Sequence, residues 1–340
     1  MTSAVATNTA MAGARSSIFE QHKFVRLLEL PAATSSSLSP FLQNSQTSTI
    51  NGFVTPDLPV KTSLAEFLNS FELKHILPRL VQKSSKEETV QLPRLGLVET
   101  LRGLDCWQVR TVAAQTRLLP EIQDRMVKAS NNIEAAGCGG ALLLLSGGHP
   151  LRRVWFANQL LPANSFAMLR AAHQLRKSGL LSPGLQLWCV ENPLLNSVER
   201  LDKKVAFLEV MAGAEAVIVQ PPLLPDRFEE WWSKAEHRGL TKATPVVVGL
   251  PLLTSARNYS FWLELTQASG KEADAITARW KRIEAEYAGD SVAFARFCYE
   301  ESVRMIESIR CLPGVAGIHV MPVTRAGWRQ YQKLVAEGKL

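Results

Sequence analysis

The 340-residue chain has no apolar run approaching the ~18 residues that suggest a membrane span. No two of its five cysteines form a C-x-x-C pair, so the common zinc and dithiol signatures are missing. That pattern predicts free thiols in a reducing compartment and no metal site. Basic residues exceed acidic ones to give a net charge of +7, yet no block of five or six like charges occurs. A basic arm is thereby excluded, and no nucleic-acid-binding motif is present. A solvated basic surface is the ordinary reading; contact with an acidic partner or an anionic surface is the alternative. Phosphate-loop chemistry is also incomplete. Gly147-Gly148 is followed by neither the Lys-Ser/Thr of a P-loop nor a G-x-G-x-x-G spacing.

What is present is a globular composition, 46% hydrophobic and 20% charged, with ample material for a core. Residues 1–22 are rich in Ser, Ala and Thr, carry Arg15, and have no acid before Glu20. They read either as a disordered tail or as an organellar, for instance mitochondrial, targeting segment. Otherwise the location is cytoplasmic. Residues 23–340 show no linker and form one domain.

Short apolar runs bounded by turn residues alternate with amphipathic stretches. Strands are predicted at 24–31, 49–56, 107–114, 139–146, 185–190, 216–220, 245–250 and 315–322. The run Leu142 to Leu145 between glycines is the clearest, because continuous apolarity marks a strand buried on both faces. Helices are predicted at 62–83, 120–136, 164–178, 196–211, 226–238, 254–267, 272–287, 290–310 and 325–336, with 84–94 as a polar loop. Strict alternation of eight strands with helices predicts an α/β (β/α)8 TIM barrel, with an open doubly wound sheet as runner-up.

In such a barrel, ligands meet the C-terminal strand ends. Those ends bring Glu29, Thr55, Ala113, Ala114, Gly147, Gly148, His149, Glu191, Asn192, Gln220, Leu250, His319 and Met321 into consideration. Glu29 is a general acid or a structural ion-pair member. Gln220 is a ligand contact or a hydrogen-bonded core amide. His149 is more simply a turn residue. The Gly147-Gly148 backbone could approach a phosphate. The adjacent Trp231-Trp232 pair either packs or offers a partner surface.

Several stretches together resemble the methylenetetrahydrofolate reductase family, especially its short, barrel-only members. Gly213-Ala214-Glu215-Ala216-Val217-Ile218-Val219-Gln220-Pro221 is similar to the family's A-G-A strand ending in T-Q. The run from Pro245 to Asn258 is similar to its P-v-l-v-G…S-a-r-N run. Pro313-Gly314-Val315-Ala316-Gly317-Ile318-His319 is similar to its G-v-x-G-x-H segment. The stretch Phe24 to Pro31 resembles its opening E-x-x-P strand, and Leu144 to Pro150 its L-x-G-D-P turn. The matches run in order over about 23–336.

The resemblance implies a barrel carrying FAD, which passes hydride from NAD(P)H to methylenetetrahydrofolate. It implies Glu29 as the folate-protonating acid, Gln220 as the folate-binding amide, and Arg325 as a substrate-side contact. The departures concern the flavin. The family's G-D-P aspartate falls on Gly148, next to Gly147 in the expected cofactor turn. Its H-x-T-C element reads Thr111-Val112-Ala113-Ala114. Its flavin-side lysine aligns to Glu209 without gaps and to Lys204 with a short gap, and both alignments stay open. Two functional expectations follow. One is a barrel with an eroded flavin site, acting as a non-catalytic structural or binding subunit of a larger, organellar assembly. The other is an active FAD- and NAD(P)H-dependent reductase. A folate or one-carbon binder without flavin is a variant of the first.

Overall fold

The computed structural model describes residues 17–30, 49–57, 106–115, 117–146, 164–210 and 214–340. The helix expected at 62–83, the loop at 84–94 and the turn Gly147-Gly148-His149-Pro150 lie outside the described residues. Among the described residues eight strands are present: β1 (Val25–Glu29), β2 (Gly52–Thr55), β3 (Trp107–Ala113), β4 (Gly140–Leu145), β5 (Gln186–Glu191), β6 (Ala214–Val219), β7 (Val246–Pro251) and β8 (Val315–Met321). They close in chain order into a barrel, and β8 pairs in parallel with β1. This is the (β/α)8 architecture, and closure rules out the open sheet.

Among the described residues the helices are α1 (Ile18–Gln21), α2 (Leu119–Ala135), α3 (Ser165–Lys177), α4 (Val198–Val210), α5 (Pro225–His237), α6 (Leu240–Ala243), α7 (Ala256–Thr266), α8 (Lys271–Glu286), α9 (Ser291–Arg310) and α10 (Arg325–Ala336). Their starts follow local chemistry. Pro120 and Pro225 occupy first-turn positions, where a missing N–H costs nothing. Asn164, Ser255, Asp290 and Thr324 each cap a helix by accepting a backbone N–H.

Strand register sorts the side chains. Val25, Leu27, Val54, Trp107, Val109, Ala141, Leu143, Trp188, Ala216, Ile218 and Val247 pack together inside the barrel. Residues one position away, such as Leu28, Phe53, Leu142, Leu144, Val217 and Val248, pack with the helical shell. The interior is therefore filled, as a barrel of this size requires. Two glycines make the fit. A Cβ at Gly317 would lie 2.1 Å from the Val25 carbonyl oxygen, and one at Gly140 would lie 2.4 Å from Ile133 of α2.

The last part of the stretch expected to be a tail is built in. Ser17 and Glu20 form a reciprocal capping box around α1. Ile18 is fully buried in the interior cluster, and the Phe19 ring lies 5.4 Å from that of Trp188. The expectation of a tail through residue 22 is thus corrected at its C-terminal edge: apolar Ile18 and Phe19 are worth more against the barrel interior than in water.

Candidate functional site

The C-terminal ends of the strands form the mouth. On β1, Val25, Leu27 and Glu29 share the interior side, so the third of them reaches the mouth. On β8, Gly317, His319 and Met321 share it, with Leu27 in register with His319. Glu29 Oε2 lies 3.4 Å from His319 Nε2. Burial pushes the Glu29 carboxyl up to about 7. Burial also drives the His319 imidazole down to about 3. Both groups move toward their neutral forms because the low-dielectric interior penalises either charge. At neutral pH the imidazole is uncharged, and Glu29 is poised between acid and carboxylate. Such a group can hold or release a proton at the mouth.

Gln220 directly follows β6, and its backbone N–H donates to the Glu191 carbonyl at 2.9 Å. It continues the interior series Ala216, Ile218, and is half-buried. Arg325 is the first residue of α10, exposed at the rim just beyond β8. A cation there opposes the helix dipole, so helix stability does not account for it. Glu29, Gln220 and Arg325 thus all stand at or beside the mouth, although they come from three different strand–helix units.

Lys204 is placed differently. It projects from α4 onto the outer side of β5, where its side chain is 1% exposed. Its Nζ lies 2.7 Å from Glu191 Oε2 and donates to the Val190 carbonyl at 2.5 Å. Glu191 Oε1 accepts from the Asn192 N–H at 2.9 Å and from Asn196 Nδ2 at 2.5 Å. Glu191 therefore faces the shell, opposite to its expected place among the mouth residues. Glu209 lies within α4.

A second clasp was missed by sequence reasoning. Asp57, just after β2, accepts from the Ala113 N–H at 2.9 Å and pairs with Arg117 at 3.2 Å and Arg125 at 2.6 Å. Arg117 also donates to the Ala113 carbonyl at 2.7 Å. Gln115 beside it holds a left-handed φ of 47°, unusual for a residue with a Cβ. The backbone at the end of β3 is thereby occupied from within. The signal available in the sequence was slight: an aspartate after Thr-Pro, with arginines some sixty residues away.

Other motifs resolve into structure. Thr254 to Asn258 is a capping arrangement, in which Ser255 Oγ accepts from the Asn258 N–H and Asn258 Oδ1 from the Thr254 N–H. Trp231 and Trp232 are buried, and Trp232 Nε1 donates to the Pro313 carbonyl, so the pair packs. A groove of about 490 Å³ runs between α4 and α5 on the barrel's flank. Its Lys234 and Arg238 are paired with Glu230 and Glu199. All five cysteines are free thiols. Among the described residues, no group of three or more His, Cys, Asp or Glu could hold a metal ion, and no helix is long and apolar enough to cross a membrane.

No protein-family model matches the chain, and no curated protein matches it. Solved structures share its outline at low identity. A Clostridium thermocellum protein that binds two copies of 5-methyl-5,6,7,8-tetrahydrofolic acid is 13% identical over 95% of this chain and 97% of that one, with a TM-score of 0.45. Yersinia pestis DHPS, solved with a pterine-sulfa conjugate, is 11% identical over 93% of each chain, with a TM-score of 0.40. Agrobacterium tumefaciens dihydrodipicolinate synthase is 13% identical over 95% of this chain and all of that one, with a TM-score of 0.39. Likenesses of this grade transfer no activity to the chain.

Proposed function

We propose that the chain is a methylenetetrahydrofolate reductase-like barrel that binds a reduced folate at its mouth and does not use flavin. The observation that carries this reading is the contrast between Glu29 and Lys204. Glu29, with His319 beneath it, keeps a proton-holding carboxyl facing the mouth, and Gln220 adds an amide on the same rim. A pterin ring presents ring nitrogens and an amide edge, which a neutral carboxyl and a primary amide can both hydrogen-bond. Arg325 at the rim suits the glutamate carboxylates of a folate tail.

The residues described do not fit FAD. Lys204, the cation offered by one alignment for the flavin, spends its charge on Glu191 behind the sheet. The strand-three element provides Ala113 and Ala114, and the Ala113 N–H and carbonyl are taken by Asp57 and Arg117. No step is therefore derived through a flavin. A role as a binding or structural subunit in a larger assembly is compatible with this reading; the basic net charge is its only support.

One observation favours the second reading, an active reductase. A carboxyl held at about 7 is suited to deliver a proton, and a pure binder has no need of it. The two readings part in one experiment. The purified protein is examined for a visible flavin band, and its Tm is measured with FAD and, separately, with 5-methyltetrahydrofolate. A colourless protein stabilised by the folate alone is the expected result. Stoichiometric flavin overturns it in favour of the reductase. Loss of the folate effect in Glu29→Gln and Gln220→Ala places the ligand at the mouth.

A further inference from the structure

The face opposite the mouth carries an unexplained pair of cations. Phe24 immediately precedes β1, and its ring is approached by two guanidinium groups. Arg26 Cζ lies 5.9 Å from the ring centroid, and Arg310 Cζ lies 5.8 Å from it. Arg26 stands in β1 between β2 and β8, and its backbone N–H donates to Asn51 Oδ1 at 2.7 Å. Arg310 ends α9. The two side chains thus arise from separate, well-fixed elements.

Each cation gains something from the ring face. Neither forms an ion pair with a carboxylate among the described residues. Arg26 is half-buried, and its Nε, shielded from solvent, has no acceptor among the described residues. Its guanidinium is held below the usual arginine range by burial and by repulsion from Arg310. The C-terminal dipole of α9 accounts for Arg310 alone. It leaves Arg26 without a carboxylate partner among the described residues.

We propose that Phe24, Arg26 and Arg310 form a binding site for a phosphate group on the barrel face opposite the mouth. A dianionic phosphate matches two guanidinium charges, and its oxygens fit the planar donor forks. The phosphate belongs either to a free anion or to a lipid headgroup. This inference does not depend on the folate reading.

The test is thermal denaturation of the full chain in chloride, inorganic phosphate and pyrophosphate at matched ionic strength. Pyrophosphate is expected to raise the wild-type Tm by about 2–4 °C. Arg310→Gln, an exposed change that leaves the core intact, reduces the rise by half or more. The double variant Arg26→Gln, Arg310→Gln abolishes it. Co-sedimentation with phosphatidylcholine vesicles, with and without phosphatidic acid, identifies the source. Binding to the acidic vesicles that is lost in the double variant assigns the headgroup; a Tm response without vesicle binding assigns the free anion. Equal responses in wild type and double variant, or no response to anion or vesicle in wild type, overturn the proposal.

Discussion

Two carboxylates, one buried and one half-buried, end their strands and have opposite fates. Glu191 ends β5 on the shell side, where Lys204, Asn196 and the Asn192 N–H surround it. Glu29 ends β1 on the interior side, where its titratable neighbour across the barrel wall among the described residues, His319, is itself driven neutral. The first is an ion pair whose partners all come from the β5–α4 unit. The second is a near-neutral pair at the mouth end of β1 and β8. Burial alone therefore does not decide what a carboxylate does; the number of donors around it does. The ion-paired one holds a loop, and the one beside a neutral imidazole keeps a proton available.

Breaking the satisfied pair gives the largest expected effect. Lys204→Met strands a buried carboxylate and should cost roughly 3–5 kcal/mol in urea denaturation. Replacing both partners by apolar residues, Glu191→Leu with Lys204→Met, should recover much of that loss. If Lys204→Met proves neutral, Glu191 and Lys204 are not the clasp described here.

The open pair should respond to pH. Glu29 has a folded value of about 7 against 4.5 ordinarily, so the folded state binds more protons between those values. Stability from Glu29 therefore falls as pH rises from 4.5 to 7. His319 has the opposite sign, because its value drops from 6.5 to about 3 and stability is gained as pH rises through that window. Glu215, at about 7, shares the Glu29 sign, and subtracting variant from wild type removes it. Glu29→Gln should gain about 3 kcal/mol relative to wild type between pH 4.5 and pH 8, read from urea midpoints at each pH. A difference flat with pH would place Glu29 in a solvated setting.

The smallest effect on stability belongs to the rim. Arg325→Gln relieves a cation at a helix N-terminus and should leave stability within about 0.5 kcal/mol or raise it slightly. It should still weaken folate binding measured by calorimetry. Unchanged affinity would remove Arg325 from the ligand's surroundings.

Much of this comparison was hidden in the chain itself. Leu142 to Leu145 announce a strand buried on both faces, and the spacing of the eight such runs gives the barrel. The same uniform apolarity conceals which residues point inward. In a half-exposed strand, polar residues mark the outer face; in Val-Glu-Asn after Leu-Trp-Cys no such marker exists. Glu191 consequently reads as a mouth residue, whereas Lys204 enters the cofactor site only through one alignment of the family resemblance, with Glu209 as the other. Glu29 was legible because Pro31 ends its strand two residues later. Asp57 and its arginines were not legible, since nothing local links residues 57, 117 and 125.

The sequence by itself determined the number and order of strands, the helix starts and the position of Glu29, because each depends on local periodicity, capping or a proline stop. Tertiary structure alone decided which face each strand turns inward. It also decided that His319 sits under Glu29, that Glu191 captures Lys204, and that Ile18 closes the barrel interior. Those facts rest on register between strands and on low-dielectric contacts between distant residues, and barrel closure sets both.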